Sequence, residues 1–235
     1  MPKRTTLVPV SVREDVTLPS VVYDLVGSLR VVLLGTYQVP EQTPPEQARE
    51  NFEEVARERL EALAEGFSDR GTEVEPLLVF TPDRAETVDR VTVERECGSV
   101  LFPGVAESLE RVLVPVRSET NLERILEVVA RIANGTTTTI TLFHVSGEDE
   151  EEGEADLLLR GARARLVSAG VPPGSIDLRT ERSEEPIATI LAATEEADAV
   201  VIGETKPSLR TMVFGDVPMR IVEEALCPVI VVRRD

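Results

Sequence analysis

The sequence predicts two consecutive α/β domains, each a parallel sheet between two layers of helices (three layers, α/β/α), with the first domain truncated. Short runs of Val, Ile and Leu alternate with amphipathic stretches along the chain, and this alternation is typical of parallel sheets with crossover helices. Segments of the first half also recur in the second half. The chain of 235 residues is long enough for two domains of roughly 100–130 residues each.

Three segments of the first half return in the same order in the second half. They are Leu7–Val10 as Leu113–Val116, Ala56–Leu60 as Ala162–Leu166, and Ser99–Gly104 as Ala199–Gly203. Each match alone is weak, because strands draw on few residue types. The shared order and similar spacing indicate an internal duplication.

The apolar runs are continuous rather than alternating, as in strands that are buried on both faces. In the first half they predict strands at Leu7–Val12, Arg30–Gly35, Val74–Phe80 and Ser99–Phe102. In the second half they predict strands at Arg111–Val116, Thr138–His144, Ile176–Thr180, Ala199–Ile202 and Val229–Arg233.

Four amphipathic stretches predict helices: Pro45–Arg70, Asn121–Ala133, Glu154–Ala169 and Val217–Ala225. Asn121 is a favourable N-cap residue, and glycine follows the ends of the first three stretches. After Gly104 the first half runs almost directly into Arg111–Val116, with no room for the helix and fifth strand that follow Gly203. We therefore predict a truncated domain at residues 1–106 and a complete domain at residues 107–235.

The chain is strongly acidic, with 43 Asp and Glu against 25 Lys and Arg and a net charge of −18. Such a charge repels polyanions, so nucleic acid and acidic membrane surfaces are poor partners. Only Lys3 and Lys206 are lysines, and this acidic, Lys-poor composition suits a salt-rich cytoplasm.

The longest apolar runs are far too short to cross a bilayer, and we expect a cytoplasmic location. Cys97 and Cys227 predict two buried free thiols rather than a disulfide.

Ligands of parallel α/β sheets bind at the carboxyl ends of the strands. After Ala199–Ile202 the chain continues as Gly203-Glu204-Thr205-Lys206, and it reaches Gly215-Asp216-Val217 shortly before the last predicted helix. Two glycines and the free N–H groups of a helix start are a physical basis for anion binding. Lys206 and Arg210 add positive charge to this segment of an otherwise acidic chain.

The second half resembles the universal stress protein family. The resemblance rests on Val112–Val116, Thr141–Val145, Ala199–Gly203, Leu209–Gly215 and Cys227–Val232, in this order. The first half shares the early elements only. The resemblance implies an adenine nucleotide alpha hydrolase-like fold with a five-stranded parallel sheet, dimerisation through the last strand and, in some members, ATP binding. We therefore expect a homodimer through Val229–Val232, an edge strand that pairs readily.

The ATP-binding members carry Gly-x2-Gly-x9-Gly-Ser/Thr. Carried over, the first glycine is Gly203 and the third is Gly215, but the loop is one residue short, Lys206 replaces the second glycine and Asp216 replaces the Ser/Thr. Those members also have Asp after the first strand, where this sequence has Arg117, and Ser11 in the first half. The candidate nucleotide-binding residues are Val116, Arg117, Gly203, Lys206, Gly215, Asp216 and Val217.

Two interpretations of Asp216 stay open. It is a good N-cap for the last helix. Alternatively Lys206, Arg210 or a divalent cation offsets its charge, so that ATP still binds. Arg117 could bind an anion, or form a surface ion pair with Glu119.

Few residues in this sequence could together form a catalytic site. The single histidine, His144, stands at a strand end, where we expect it to hydrogen-bond within the sheet, and the acidic stretch Glu148–Glu154 reads as a solvated loop. The leading hypothesis is a regulatory module of stress response, not an enzyme, with altered or lost ATP binding. The alternatives are a magnesium-dependent nucleotide hydrolase or transferase, with Asp216 on the metal and Lys206 on phosphate, and a partner-binding subunit of a transporter.

Overall fold

The computed structural model describes residues 5–27, 29–40, 42, 44–148, 150, 153–204 and 216–234, except for the side chains of residues 45 and 216. The chain divides into two compact units, Met1–Pro103 and Gly104–Asp235. Both have the predicted α/β architecture.

Unit 1 contains four parallel strands and three helices within its described residues. Its elements in chain order are β1 (Thr5–Ser11), α1 (Ser20–Val26), β2 (Arg30–Gln38), α2 (Pro45–Ser68), β3 (Val74–Thr81), α3 (Arg84–Glu94) and β4 (Ser99–Phe102). The strand order is β3-β2-β1-β4.

Unit 2 contains the five parallel strands that the family resemblance implies. Its elements are β5 (Arg111–Pro115), α4 (Leu122–Ala133), β6 (Thr139–Ser146), α5 (Glu154–Ser168), a 3-10 turn (Pro173–Ser175), β7 (Ile176–Arg182), α6 (Pro186–Thr194), β8 (Ala199–Gly203), α7 (Asp216–Glu224) and β9 (Val229–Val232). The strand order is β7-β6-β5-β8-β9.

The pairing register of the two units agrees with the duplication seen in the sequence. Leu7 of β1 pairs with Val100 of β4, and Leu113 of β5 pairs with Val200 of β8. Leu7 and Leu113 are the first residues of the repeated strand segment, so the fourth strand occupies the same place in each unit. Unit 1 ends after this strand, whereas unit 2 adds α7 and β9.

The continuous apolar runs form the core, as strands covered on both faces require. Every residue of β9 is at most 2% exposed, and both cysteines are buried free thiols, as predicted. The pairing of Val229–Val232 with a second copy stays a prediction. No helix in the described part of the chain is long and apolar enough to span a bilayer.

The residue pattern did not predict three of the described helices, α1, α3 and α6. The first has seven residues, and α6 is almost wholly apolar, so neither shows a clear helical period. Asn121 occupies the N-cap position of α4, as predicted. Its backbone is left-handed, with φ 61°, and its side chain makes no capping bond. The Asn121 Nδ2 instead donates to the Val232 carbonyl at 3.0 Å, and so ties the start of α4 to the end of β9.

Candidate functional site

The strand order of unit 2 reverses direction between β5 and β8. The chain leaves β5 towards β6 on one side, and later returns to β8 on the other side. In open parallel sheets, such a reversal leaves a cleft at the carboxyl ends of the two strands. The structure brings Val116, Arg117 and Gly203 to these ends, because β5 ends at Pro115 and β8 at Gly203.

Val116 is held by the neighbouring strand rather than open to the crevice. Its side chain is 3% exposed, and its N–H donates to the Phe143 carbonyl at 2.8 Å. Its carbonyl lies 2.7 Å from His144 Nδ1. The contribution of Val116 to a site is therefore a fixed strand end, not a side chain.

His144 makes the predicted bond to the neighbouring strand end and also a second contact. Its Nε2 lies 2.9 Å from the Glu150 carboxylate. The Glu150 side chain is only 22% exposed, so the interpretation of the acidic stretch as a fully solvated loop is wrong at this residue. The sequence gives no signal that distinguishes Glu150 from the other acidic residues around it.

Arg117 follows β5 and is exposed. The predicted ion pair between Arg117 and Glu119 is absent from the described contacts, and Glu119 pairs with Arg165 of α5 at 3.4 Å. These two partners are 77% and 49% exposed, so the pair contributes little to stability. Arg117 therefore presents its positive charge to solvent at the carboxyl end of β5.

Gly203 is explained by packing within unit 2. A Cβ at this position would lie 2.7 Å from Ile125 Cδ1 and 3.5 Å from Asn121 Nδ2, both near the start of α4. A side chain at this position would force Ile125 to move, so glycine fits the close approach of α4 to β8. Close backbone approach to a ligand is not needed to account for this glycine.

Glu204, the next residue, is a site feature that the sequence analysis did not single out. Its side chain is buried, with 8% of the residue exposed, and its Oε2 accepts the Arg234 backbone N–H at 2.7 Å. Its own N–H donates to the Val232 carbonyl at 2.8 Å. An acidic residue directly after a buried strand was the available signal. The carboxylate ties the chain after β9 to the end of β8.

The remaining candidates lie on or before α7. The helix begins at Asp216, one residue earlier than predicted, and Val217 in its first turn is half-buried. Lys206, Arg210 and Gly215 lie outside the described residues, as does the side chain of Asp216. Their predicted roles, including the N-cap role of Asp216, stay predictions.

Comparisons with known proteins agree with this architecture. The match to a universal stress protein from Archaeoglobus fulgidus DSM 4304 covers 100% of this chain and 100% of that protein's chain, with a TM-score of 0.66 and 17% identity. A functionally unknown protein from Pseudomonas aeruginosa PAO1 covers 99% of this chain and 93% of its own, with a TM-score of 0.58 and 14% identity. A universal stress protein from Archaeoglobus fulgidus, solved in complex with dAMP, covers 53% of this chain and 98% of its own, with a TM-score of 0.42 and 22% identity.

At 17% and 14% identity, the first two of these structures establish the fold alone. No curated protein matches the chain. The sequence model of the Universal stress protein family matches residues 108–233, which is more than half of the chain and nearly all of unit 2. The chain therefore belongs to the universal stress protein family.

Proposed function

We propose that unit 2 binds an adenine nucleotide in the crevice between β5 and β8, and that the protein is a cytoplasmic regulatory module of stress response rather than an enzyme. The observation that carries this proposal is the strand order of unit 2, which sets Val116, Arg117 and Gly203 at the carboxyl ends on either side of the chain reversal. Family membership supports the class of ligand, since some members of the family bind ATP.

The described charges at this edge are compatible with an anionic ligand. The Glu204 carboxylate accepts a backbone N–H, and the Glu150 carboxylate lies against His144. Each of these carboxylates thus has a partner inside the protein, and Arg117 is exposed directly after β5. Asp216 stands at the Ser/Thr position of the ATP-binding pattern, where its carboxylate would face the phosphates of a bound nucleotide. Two like charges about 4 Å apart repel by roughly 1 kcal/mol in water and more in a dry site.

Calorimetry with ATP–Mg²⁺ in molar potassium chloride, followed by a phosphate-release assay, tests the proposal. We expect weak binding without turnover, and Asp216→Ser should tighten it by about fivefold or more, which corresponds to roughly 1 kcal/mol. Asp177→Ser is the control, because Asp177 is an exposed carboxylate on β7 and the change in net charge is the same. Phosphate release at a measurable rate would support a hydrolase instead, and no heat from either protein would overturn nucleotide binding.

The contribution of Arg117 can be separated from general electrostatics. Arg117→Gln should weaken ATP binding several-fold, because it removes an exposed cation at the carboxyl end of β5. Arg111→Gln removes an exposed cation at the amino end of the same strand. Equal losses in the two variants would show a long-range charge effect rather than a site at the carboxyl edge.

A further inference from the structure

The only histidine of the chain is buried where β5 ends. His144 is 4% exposed and contacts two oxygen groups that differ in chemistry. Its Nδ1 lies 2.7 Å from the Val116 carbonyl, and its Nε2 lies 2.9 Å from the Glu150 carboxylate. The imidazole thus bridges the end of β5 and an acidic side chain from beyond the end of β6.

Counting donors fixes the number of protons that this bridge needs. A carbonyl oxygen only accepts, so Nδ1 carries a hydrogen and donates it to Val116. An ionised carboxylate also only accepts, so the contact with Glu150 needs a hydrogen on Nε2 as well. A neutral ring that donates from Nδ1 would set a bare nitrogen against the carboxylate at 2.9 Å, where the two repel.

We propose that a proton holds this bridge together: His144 is an imidazolium that donates to Val116 and to Glu150, and the contact with Glu150 is lost when that proton leaves. The proton resides on the ring rather than on the carboxyl, because imidazole is a stronger base than a carboxylate. Any effect of this proton on ligand binding rests on the proposed function, in which Val116 borders the nucleotide crevice.

Other charged groups do not replace Glu150 as the partner of the ring. On β7 the residue that pairs with His144 is Thr180, which is uncharged, and its neighbours Arg179 and Glu181 bind each other with a nitrogen–oxygen distance of 2.9 Å. Helix α6 carries no ionisable residue. The remaining described charged groups on the elements around β6 are Arg111 on β5 and Arg117 after it, Asp177 and Arg182 on β7, Glu148 after β6, Glu154, Asp156, Arg160, Arg163 and Arg165 on α5, and Glu123, Arg124, Glu127 and Arg131 on α4. None of them has a described hydrogen bond or ion pair with His144.

In unit 1, an uncharged side chain donates the hydrogen bond to the carbonyl at the end of the first strand. Val10 is the residue of β1 that corresponds to Val116, and its carbonyl accepts a hydrogen bond from Thr36 Oγ1 at 3.1 Å. Gly35 occupies the register position of His144. The strand end itself therefore does not require an imidazole, and the charged bridge is particular to unit 2.

Nitrogen-15 NMR of the imidazole at pH 7, without nucleotide, tests the proposal. A chain with one histidine gives one pair of ring-nitrogen signals. We expect wild type to show a proton on both nitrogens, and Glu150→Gln to show a neutral ring protonated on Nδ1 alone, because the neutral amide can donate to a bare Nε2. Glu148→Gln makes the same change in charge at an exposed neighbour and should leave the wild-type pattern unchanged.

Either of two results would overturn the inference: a neutral ring in wild type, or an imidazolium in the Glu150→Gln chain. Backbone amide spectra of each variant show directly whether the fold is retained. Because no nucleotide is present, failure of the proposed ATP binding leaves this result intact, and failure of the bridge leaves the calorimetry intact.

Discussion

The two units place an equivalent arginine beside the loop that follows their first strand, but use it differently. In unit 1, Arg59 of α2 donates to the Arg13 carbonyl at 2.7 Å and pairs with Asp15 at 2.7 Å. In unit 2 the corresponding residue, Arg165 of α5, reaches only the exposed side chain of Glu119. Unit 1 thus fastens its loop to its own helix, whereas unit 2 leaves Arg117 and the residues after it facing solvent. The proposed nucleotide site thus lies beside the loop that has fewer described contacts with its helix.

The two units also differ in how tightly side chains pack around a strand glycine, Gly35 in unit 1 and Gly203 in unit 2. A Cβ on Gly35 of unit 1 would meet Leu60 Cδ1 at 2.9 Å and Val12 Cγ1 at 3.2 Å. A Cβ on Gly203 of unit 2 would conflict chiefly with Ile125 Cδ1, the far end of one flexible side chain. Among the described residues, the atoms nearest to a Cβ on Gly35 thus come from α2 and from the residue that follows β1, and those nearest to a Cβ on Gly203 come from the start of α4 alone.

The largest effect should come from filling these two positions. Gly35→Ala is expected to cost about 1–3 kcal/mol of unfolding free energy, and Gly203→Ala less, because Ile125 can turn away while Leu60 and Val12 enclose Gly35. Urea unfolding measures both. Gly147→Ala is the control, since nothing lies within 4 Å of a Cβ there. A greater loss from Gly203→Ala than from Gly35→Ala would contradict the proposed difference in packing.

A smaller effect should separate the two arginines. Arg59→Ala removes bonds to a backbone carbonyl and a carboxylate and should cost about 1–2 kcal/mol. Arg165→Ala removes one exposed ion pair and should change stability by less than about 0.5 kcal/mol. Unfolding midpoints in molar salt check this, because salt screens the exposed pair first. Equal losses would show that the loop of unit 2 is fastened as firmly as that of unit 1.

The smallest effect concerns the buried thiol of unit 2. Burial raises the pKa of Cys227 from 9.0 to about 11, and the charge of Asp198 adds to the rise. Folding therefore favours the neutral thiol, so this contribution to stability is complete below about pH 9 and is lost as the pH approaches about 11. Alkylation of the folded chain, followed by mass spectrometry, should show Cys227 labelled slowly until this range. Rapid labelling at pH 8 would disprove the shift, and the Cys227→Ser chain isolates the signal of Cys97.

Local sequence was enough to predict the nine strands that the structure describes. Strands buried on both faces of a parallel sheet must be apolar throughout, so runs such as Ala199–Ile202 identify themselves without tertiary information. Position after such a run also placed Arg117 and Gly203 at the carboxyl edge, because parallel strands end on the same side. The helices α1 and α6 were missed because neither shows a clear alternation of polar and apolar faces.

The sequence by itself determined the α/β class, the duplication, the strands and the family, since each depends on the order of residues along the chain. Only the tertiary structure decided which groups meet. It showed that the Asn121 side chain bonds the Val232 carbonyl rather than an N–H of α4, that Glu204 binds the N–H of Arg234, and that Glu150 lies against His144. These contacts join different elements of the fold, and their partners are set by strand order and helix packing, which no local pattern of residue types encodes.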